Sequence, residues 1–257
     1  MYAMVRKISK IMYVICFYWQ GDRWQTPSYV EPADHENLQQ KNMNRLGVVE
    51  STLPPRYVNN LYRGVKRYAD REFTFICFTN EKLKGLDPNI EIRKFPMCTL
   101  DGVLPRLYMF SEEAGLFGHQ VLCLDIDILV VGSLKDLMSY DGTFCARSKF
   151  KHGEEYKLDG DVMSFKANKE TEALFWSPFV KDVERAVEFT QGRERYWVRY
   201  VANDIADRWD TFAPKQVLSY KNHIENGIVP EQAAIISCHG VPRPHQIRSG
   251  WIKPYWR

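Results

Sequence analysis

Short apolar runs alternate with helical patterns through the first half of the chain. Ile11-Met-Tyr-Val-Ile-Cys-Phe-Tyr18 is β-branched and aromatic and stops at the turn cluster Gln20-Gly21-Asp22, which predicts a first strand with a ligand loop behind it. Residues 23–53 are polar without a sustained period and are expected to form a long loop or insertion. Pro54-Pro55 then opens a helical pattern with Tyr57, Leu61 and Val65 on one face. Residues 73–78 read as a second strand ended by Thr79 and Asn80, and 90–95 alternate as a third. After a Gly/Pro break, 106–110 begin a helix that runs toward Gly115. Strands alternating with helices in this way predict an α/β fold with a mostly parallel central sheet.

The longest apolar run, 121–131, encloses Asp125 and Asp127 and is followed by Gly132. Such a run predicts a strand buried on both faces and central in a parallel sheet. Two ionised carboxylates inside it would cost several kcal/mol each without compensation. The strand is therefore expected to end at the aspartates, with a divalent cation between them. Hard cations such as Mg²⁺ or Mn²⁺ take carboxylate oxygens and fill their other positions with water and substrate diphosphate.

The second half is less regular. Residues 161–165 predict a short strand, 171–189 a helix broken at Pro178, and 197–209 another helix. Short strands are expected at 217–220 and 233–238, ahead of a tail, 240–257, rich in Pro, Arg and Trp. No repeat, low-complexity tract or linker interrupts the chain, so 1–257 are expected to form a single domain.

Composition narrows the choice. A hydrophobic fraction of 45% is ample for a core, and a net charge of +3 without a basic run argues against a nucleic-acid partner. The cysteines are Cys16, Cys77, Cys98, Cys123, Cys145 and Cys238, with no C-x-x-C pair; three lie inside apolar runs, which favours a reducing, cytoplasmic setting. The apolar stretch 11–19 is too short to span a bilayer and lacks a small-residue cleavage site, so no transmembrane segment or signal peptide is expected.

Asp125-x-Asp127 after an apolar strand suits two enzyme classes. Phosphatases of the haloacid-dehalogenase type place their D-x-D after the first strand, whereas here it follows three predicted strands. In nucleotide-sugar enzymes the pair holds a metal on the donor diphosphate. A third reading is simply two solvated strand-end aspartates.

The surroundings favour the second class. Leu124-Asp-Ile-Asp-Ile-Leu-Val-Val-Gly-Ser-Leu134 followed by Asp136-Leu137 resembles the family-8 type glycosyltransferases and their bacterial relatives. Tyr57-Val-Asn-Asn-Leu-Tyr-Arg-Gly-Val-Lys-Arg67 with Phe75-Ile-Cys-Phe-Thr-Asn80 is similar to the family's helix–strand unit beside the nucleotide. Arg106-Leu-Tyr-Met-Phe110 resembles its Lys/Arg-bearing helix start, and Val217-Leu-Ser-Tyr-Lys221 with Ile235-Ile-Ser-Cys-His-Gly-Val-Pro-Arg-Pro-His245 its closing segment. The resemblance covers nearly everything except 23–53.

The resemblance implies a GT-A fold, a Rossmann-like sheet that binds a nucleotide-sugar, with Mn²⁺ or Mg²⁺ on Asp125 and Asp127 and the donor on the Asp125-Ile126-Asp127 turn. The family's closing motif brings a metal-binding His and a diphosphate-binding Lys. Arg243-Pro244, counted from Gly240, falls where Lys-Pro would be. The histidine position is Ser237 here, so His239 is the substitute ligand, with His245 behind it. Open α/β sheets bind ligands outside the carboxyl ends of their strands. That rule points to Tyr18, Trp19, Gln20 and Gly21, and to Thr79 and Asn80, for base and ribose; a core role for Tyr18 competes. Arg106 would reach the diphosphate or ribose.

Asp159-Gly-Asp161 stands where relatives carry Asn-Ser facing the sugar, so Asp159 and Asp161 are candidate catalytic carboxylates, able to bind donor hydroxyls or, if the enzyme inverts, to act as base. Glu194 stands near the family's reacting centre, although Arg193, Arg195 and Arg199 fit a solvated helix face equally well. The reading is a metal-dependent glycosyltransferase moving a hexose from a nucleotide-sugar, UDP-linked by analogy, to a hydroxyl acceptor in glycan biosynthesis, with retention of configuration by the same analogy. Alternatives are a sugar-phosphate nucleotidyltransferase, which needs a glycine-rich phosphate loop after the first strand, and a silent nucleotide-sugar-binding domain.

Overall fold

Residues 11–18, 53–96 and 104–256 are described by the structure, a computed structural model. The strands are β1 (Met12–Phe17), β2 (Phe73–Phe78), β3 (Ile90–Arg93), β4 (Gln120–Leu124), β5 (Ile128–Val130), β6 (Phe144–Ser148), β7 (Leu158–Lys166), β8 (Asp207–Arg208), β9 (Val217–Ser219) and β10 (Ile235–Ser237). The helices used below are α1 (Arg56–Tyr68), α2 (Lys135–Ser139), α3 (Val183–Thr190) and α4 (Glu194–Ala202). The proposed loop 23–53 falls outside the described residues except for Leu53, as do Trp19, Gln20, Gly21 and Cys98.

A seven-stranded sheet runs in the order β3-β2-β1-β4-β7-β6-β8. The pairs from β3 to β4 are parallel, β7 is antiparallel to both β4 and β6, and β8 returns parallel to β6. Along β1 and β4 alternate side chains enter opposite cores: Val14, Cys16, Leu122 and Leu124 on the α1 side, Ile15, Phe17, Val121 and Cys123 on the other. Both faces are covered, which is why these strands read as unbroken apolar runs.

The run 121–131 divides at the aspartates. Its first part is β4, fourth of seven and thus central; its second part, β5, leaves for a three-stranded sheet, β5-β10-β9. Gly132 ends that part because a Cβ there would lie 2.3 Å from the carbonyl oxygen of Ala233.

Several predicted elements shift. The third strand stops at Arg93, and the stretch after Leu104 is a 3₁₀ turn, Leu104–Phe110, rather than an α-helix; Gly115, at φ 69°, ends the turn that follows it. Pro178 does not break its helix. A π turn, Glu172–Trp176, precedes it, and Pro178 opens the next turn, where its missing N–H is not needed. The break falls at Asp182, whose carboxylate caps α3 by accepting from Arg185 N at 3.1 Å. The helix predicted over 197–209 is α4 alone, because Asp207–Arg208 pair with β6 and Trp209 starts a separate turn. The predicted strand 161–165 is the middle of the longer β7, and β6 lay unrecognised because its four buried residues show no alternation.

The described cysteines Cys16, Cys77, Cys123, Cys145 and Cys238 are free and buried. No helix among the described residues is long and apolar enough to cross a membrane.

Candidate active site

Asp125 N donates to Asp161 O at 2.9 Å, carrying the β4–β7 ladder one residue beyond β4 before the chain turns. Ile126 then enters the core, while its neighbours Asp125 and Asp127 line a cavity of about 730 Å³. This cavity opens at the carboxyl end of β4, the place where open α/β sheets take ligands.

Arg106, buried in the 3₁₀ turn, reaches across to the cavity floor. Its Nη1 lies 2.9 Å from Asp125 Oδ1 and 3.3 Å from Glu194 Oε2 at the start of α4, and its Nη2 donates to Gly160 O at 3.1 Å. Burial works against its charge, but Asp125 and Glu194 more than offset that and hold the guanidinium protonated. Glu194 has the opposite fate. Burial raises its carboxyl to about 7, despite Arg106, and Asp125 and Asp159 push in the same direction as burial. Its Oε1 is buried without a hydrogen-bond partner. A Cβ on Gly160 would sit 3.3 Å from both Glu194 oxygens, so glycine leaves room for this carboxylate.

Arg147, at the end of β6, forms a second network. It pairs with Asp161 through Nε, and its Nη2 lies 3.3 Å from Asp159 Oδ2, its register partner across the β6–β7 pair. The Phe150 ring lies under the guanidinium at 3.9 Å. Ser237 donates to the other Asp161 oxygen. Burial alone would raise the Asp161 carboxyl, but Arg147 and Ser237 outweigh it and hold it below the ordinary value. Asp161 is thus an anchored anion, and Asp159 is the carboxylate of the pair that stays partly open to the cavity.

The third wall is the closing segment. Arg243 pairs with Asp127. Gly240, at φ 70°, also lines the cavity, and a Cβ there would lie 3.2 Å from Lys221 Nζ. His239 Nε2 is 2.9 Å from Ser219 Oγ; burial, then Lys221 and Arg147, hold its imidazole below the usual value and neutral. His245 turns away to bond Tyr57 on α1.

The sequence candidates divide accordingly. Asp125, Asp127, Asp159, Asp161, Glu194, Arg106, His239, Gly240 and Arg243 meet at one cavity. Tyr18 is packed in the core, and Ile126 contributes only its place in the turn. Thr79 accepts from Glu81 N, and Asn80 bonds Phe95 through both side-chain atoms, so this pair holds the β2 and β3 ends together away from the cavity. Arg147 and Lys221 are among the cavity residues not singled out beforehand, together with Lys149, Phe150 and Lys151. For Arg147 the available signal was a lone arginine closing an apolar stretch, opposite an Asp-x-Asp.

Two carboxylates facing one cavity, with a neutral imidazole on the closing-segment wall, are chemically suited to a hard divalent cation. They do not converge on one point: among the described residues no three His, Cys, Asp or Glu side chains form a cluster able to hold an ion. A cation on Asp127 would compete with Arg243 for its carboxylate.

No protein-family model matches the sequence, and no curated protein matches it. Solved structures do. The glycosyltransferase GlyE of Streptococcus pneumoniae TIGR4 superposes with a TM-score of 0.57 at 13% identity, over 96% of this chain and 60% of that one. The galactosyltransferase LgtC, in complex with donor and acceptor sugar analogues, gives 0.53 at 14% identity over 91% and 89%. The bifunctional glycosyltransferase WbbM gives 0.55 at 10% identity over 93% and 47%. The chain therefore spans less than two thirds of GlyE and about half of WbbM, and nearly all of LgtC. With its central strand ending in the aspartate pair at the open edge of a Rossmann-like sheet, this chain has the GT-A glycosyltransferase fold.

Proposed function

We propose that the protein transfers a hexose from a nucleotide-sugar, a UDP-sugar, to a hydroxyl acceptor in glycan assembly. The observation that carries this reading is the Asp125–Arg106–Glu194 array at the end of β4, opening on a cavity of about 730 Å³. As the bond from the sugar to the diphosphate breaks, the leaving group gains negative charge, and fixed cations nearby lower that barrier. Arg243 and Lys221 serve the diphosphate, while Arg106 orients Asp125 and Glu194. Mn²⁺ or Mg²⁺ held by Asp125 and Asp127 would supply Lewis-acid stabilisation of the same charge.

Glu194, with an unpartnered oxygen beside Gly160, receives a hydroxyl of the transferred sugar. Asp159 accepts the acceptor's proton, and Asp161, tied to Arg147 and Ser237, fixes its position. The test is release of UDP from a panel of UDP-hexoses by the purified chain, with and without acceptor. Transfer should fall at least about 100-fold in Asp125→Asn and in Glu194→Gln. Binding of UDP with no turnover of any donor would point instead to a silent binding domain.

The Asp127–Arg243 pair favours a second reading of one step, in which Arg243 and Lys221 neutralise the diphosphate without a cation. Turnover that survives EDTA would select it. The glycine-rich loop that a nucleotidyltransferase requires would fall in 19–22, outside the described residues.

A further inference from the structure

The five carboxylates lining the cavity, Asp125, Asp127, Asp159, Asp161 and Glu194, are matched by three arginines, Arg106, Arg147 and Arg243. Beyond Glu194 the pattern changes. Arg193, Arg195 and Arg199 surround one ring, that of Tyr196, with guanidinium carbons 5.5, 5.6 and 5.5 Å from its centroid. Arg193 also donates to the Tyr196 hydroxyl at 3.0 Å. None of the three forms an ion pair with a carboxylate of the described residues, and Arg199 Nη2 is buried without a hydrogen-bond partner. Arg193 and Arg195 themselves line the cavity.

This collar is electrostatically unfavourable by itself. Arg195 and Arg199 are like charges one helical turn apart. Arg193 and Arg195 flank the first residue of α4, where the helix dipole disfavours cations and favours anions. The turn that delivers them, Gln191-Gly192, holds two successive left-handed residues, φ 52° and 70°, of which the first is not glycine. Burial would raise the Tyr196 hydroxyl, yet the hydrogen bond from Arg193 and then the charges of Arg193, Arg195 and Arg199 hold it below its ordinary value. Lys149 and Lys151, which likewise line the cavity, share a single carboxylate, Glu154, that also serves Lys157. The donor diphosphate does not account for the collar, because its proposed partners, Arg243 and Lys221, stand on the wall built from 219–243.

We propose that the acceptor carries an anionic group, a phosphate or a carboxylate, and that Arg193 and Arg195 bind it as the acceptor hydroxyl approaches Asp159. Planar guanidinium forks suit both oxyanions. The proposal rests on the glycosyl-transfer reading but makes a separate claim, the charge of the acceptor.

The test is isothermal titration of the full chain at low ionic strength with three probes: glucose 6-phosphate, methyl glucuronide and the neutral methyl glucoside, each with and without UDP. One charged probe should bind at least about tenfold more tightly than the neutral one, and added salt should erode that preference. Which of the two binds identifies phosphate or carboxylate. Arg193→Gln/Arg195→Gln should abolish the preference and Arg193→Lys/Arg195→Lys should restore part of it, with UDP affinity constant within about twofold as the check on folding. Equal binding of all three probes, a preference that survives the glutamine pair, or a parallel loss of UDP binding each overturns the proposal. Failure of the wild type to bind UDP would instead strike the donor reading, while the probe preference measured without UDP still decides the charge of the acceptor.

Discussion

The two halves of the large sheet use one backbone for opposite ends. In the parallel half the inner strands β1, β2 and β4 carry no Asp, Glu, Lys or Arg, and both faces are sealed by apolar side chains. In the antiparallel half β6 and β7 carry Arg147, Asp159 and Asp161, with Glu194 and Arg106 beside them, all buried or nearly so. The first half stabilises by removing apolar area from water, about 1.5–3 kcal/mol for each large side chain fully buried. The second buries charge, which is tolerable only where each carboxylate finds a guanidinium or hydroxyl. The site lies on the seam because β4 is the last sealed strand and β7 the first charged one.

Breaking the charged half should cost the most. Arg147→Ala leaves Asp161 and Asp159 without their cation and should destabilise by about 3–5 kcal/mol in urea unfolding. In the sealed half, Ile76→Ala removes a fully buried side chain and should cost about 2–4 kcal/mol, with no dependence on pH between 5 and 8, a range taken as roughly that of native stability.

Protons sharpen the contrast. Glu194 has a folded value of about 7, above its ordinary 4.5, so its contribution to stability is complete below the ordinary value and is lost as pH rises through about 7. That loss amounts to roughly 3 kcal/mol and should vanish from the pH profile of Glu194→Gln. Asp161 behaves in the opposite sense: held below its ordinary 3.8, it stabilises above that value and loses the contribution as the pH falls further. The smallest effect is steric. Gly160→Ala brings a methyl within 3.3 Å of the Glu194 carboxylate and should lower donor turnover about tenfold with little change in melting temperature.

Legibility followed the same seam. The strands β1, β2 and β4 and the apolar face of α1 were readable because each is a contiguous run or a simple period. The Asp125–Asp127 pair stood out because two carboxylates in an apolar run demand an explanation. Strand β6 and its arginine did not, since one charge after a short apolar stretch has no period. The end of α4 was misjudged because aromatic and apolar residues continue past Ala202 into β8 and the turn at Trp209, where tertiary packing outweighs local pattern.

By itself the sequence determined where the sheet's sealed strands lie and that acidic side chains break its longest apolar run, because solvent exclusion imprints itself on neighbouring residues. Only the tertiary structure decided that Arg106 meets Glu194 across 88 positions, that Ser237 meets Asp161 across 76, and that Arg243 closes on Asp127. Those pairings join separate elements through single side chains, and a charge carries no mark in the chain of the partner that folding brings to it.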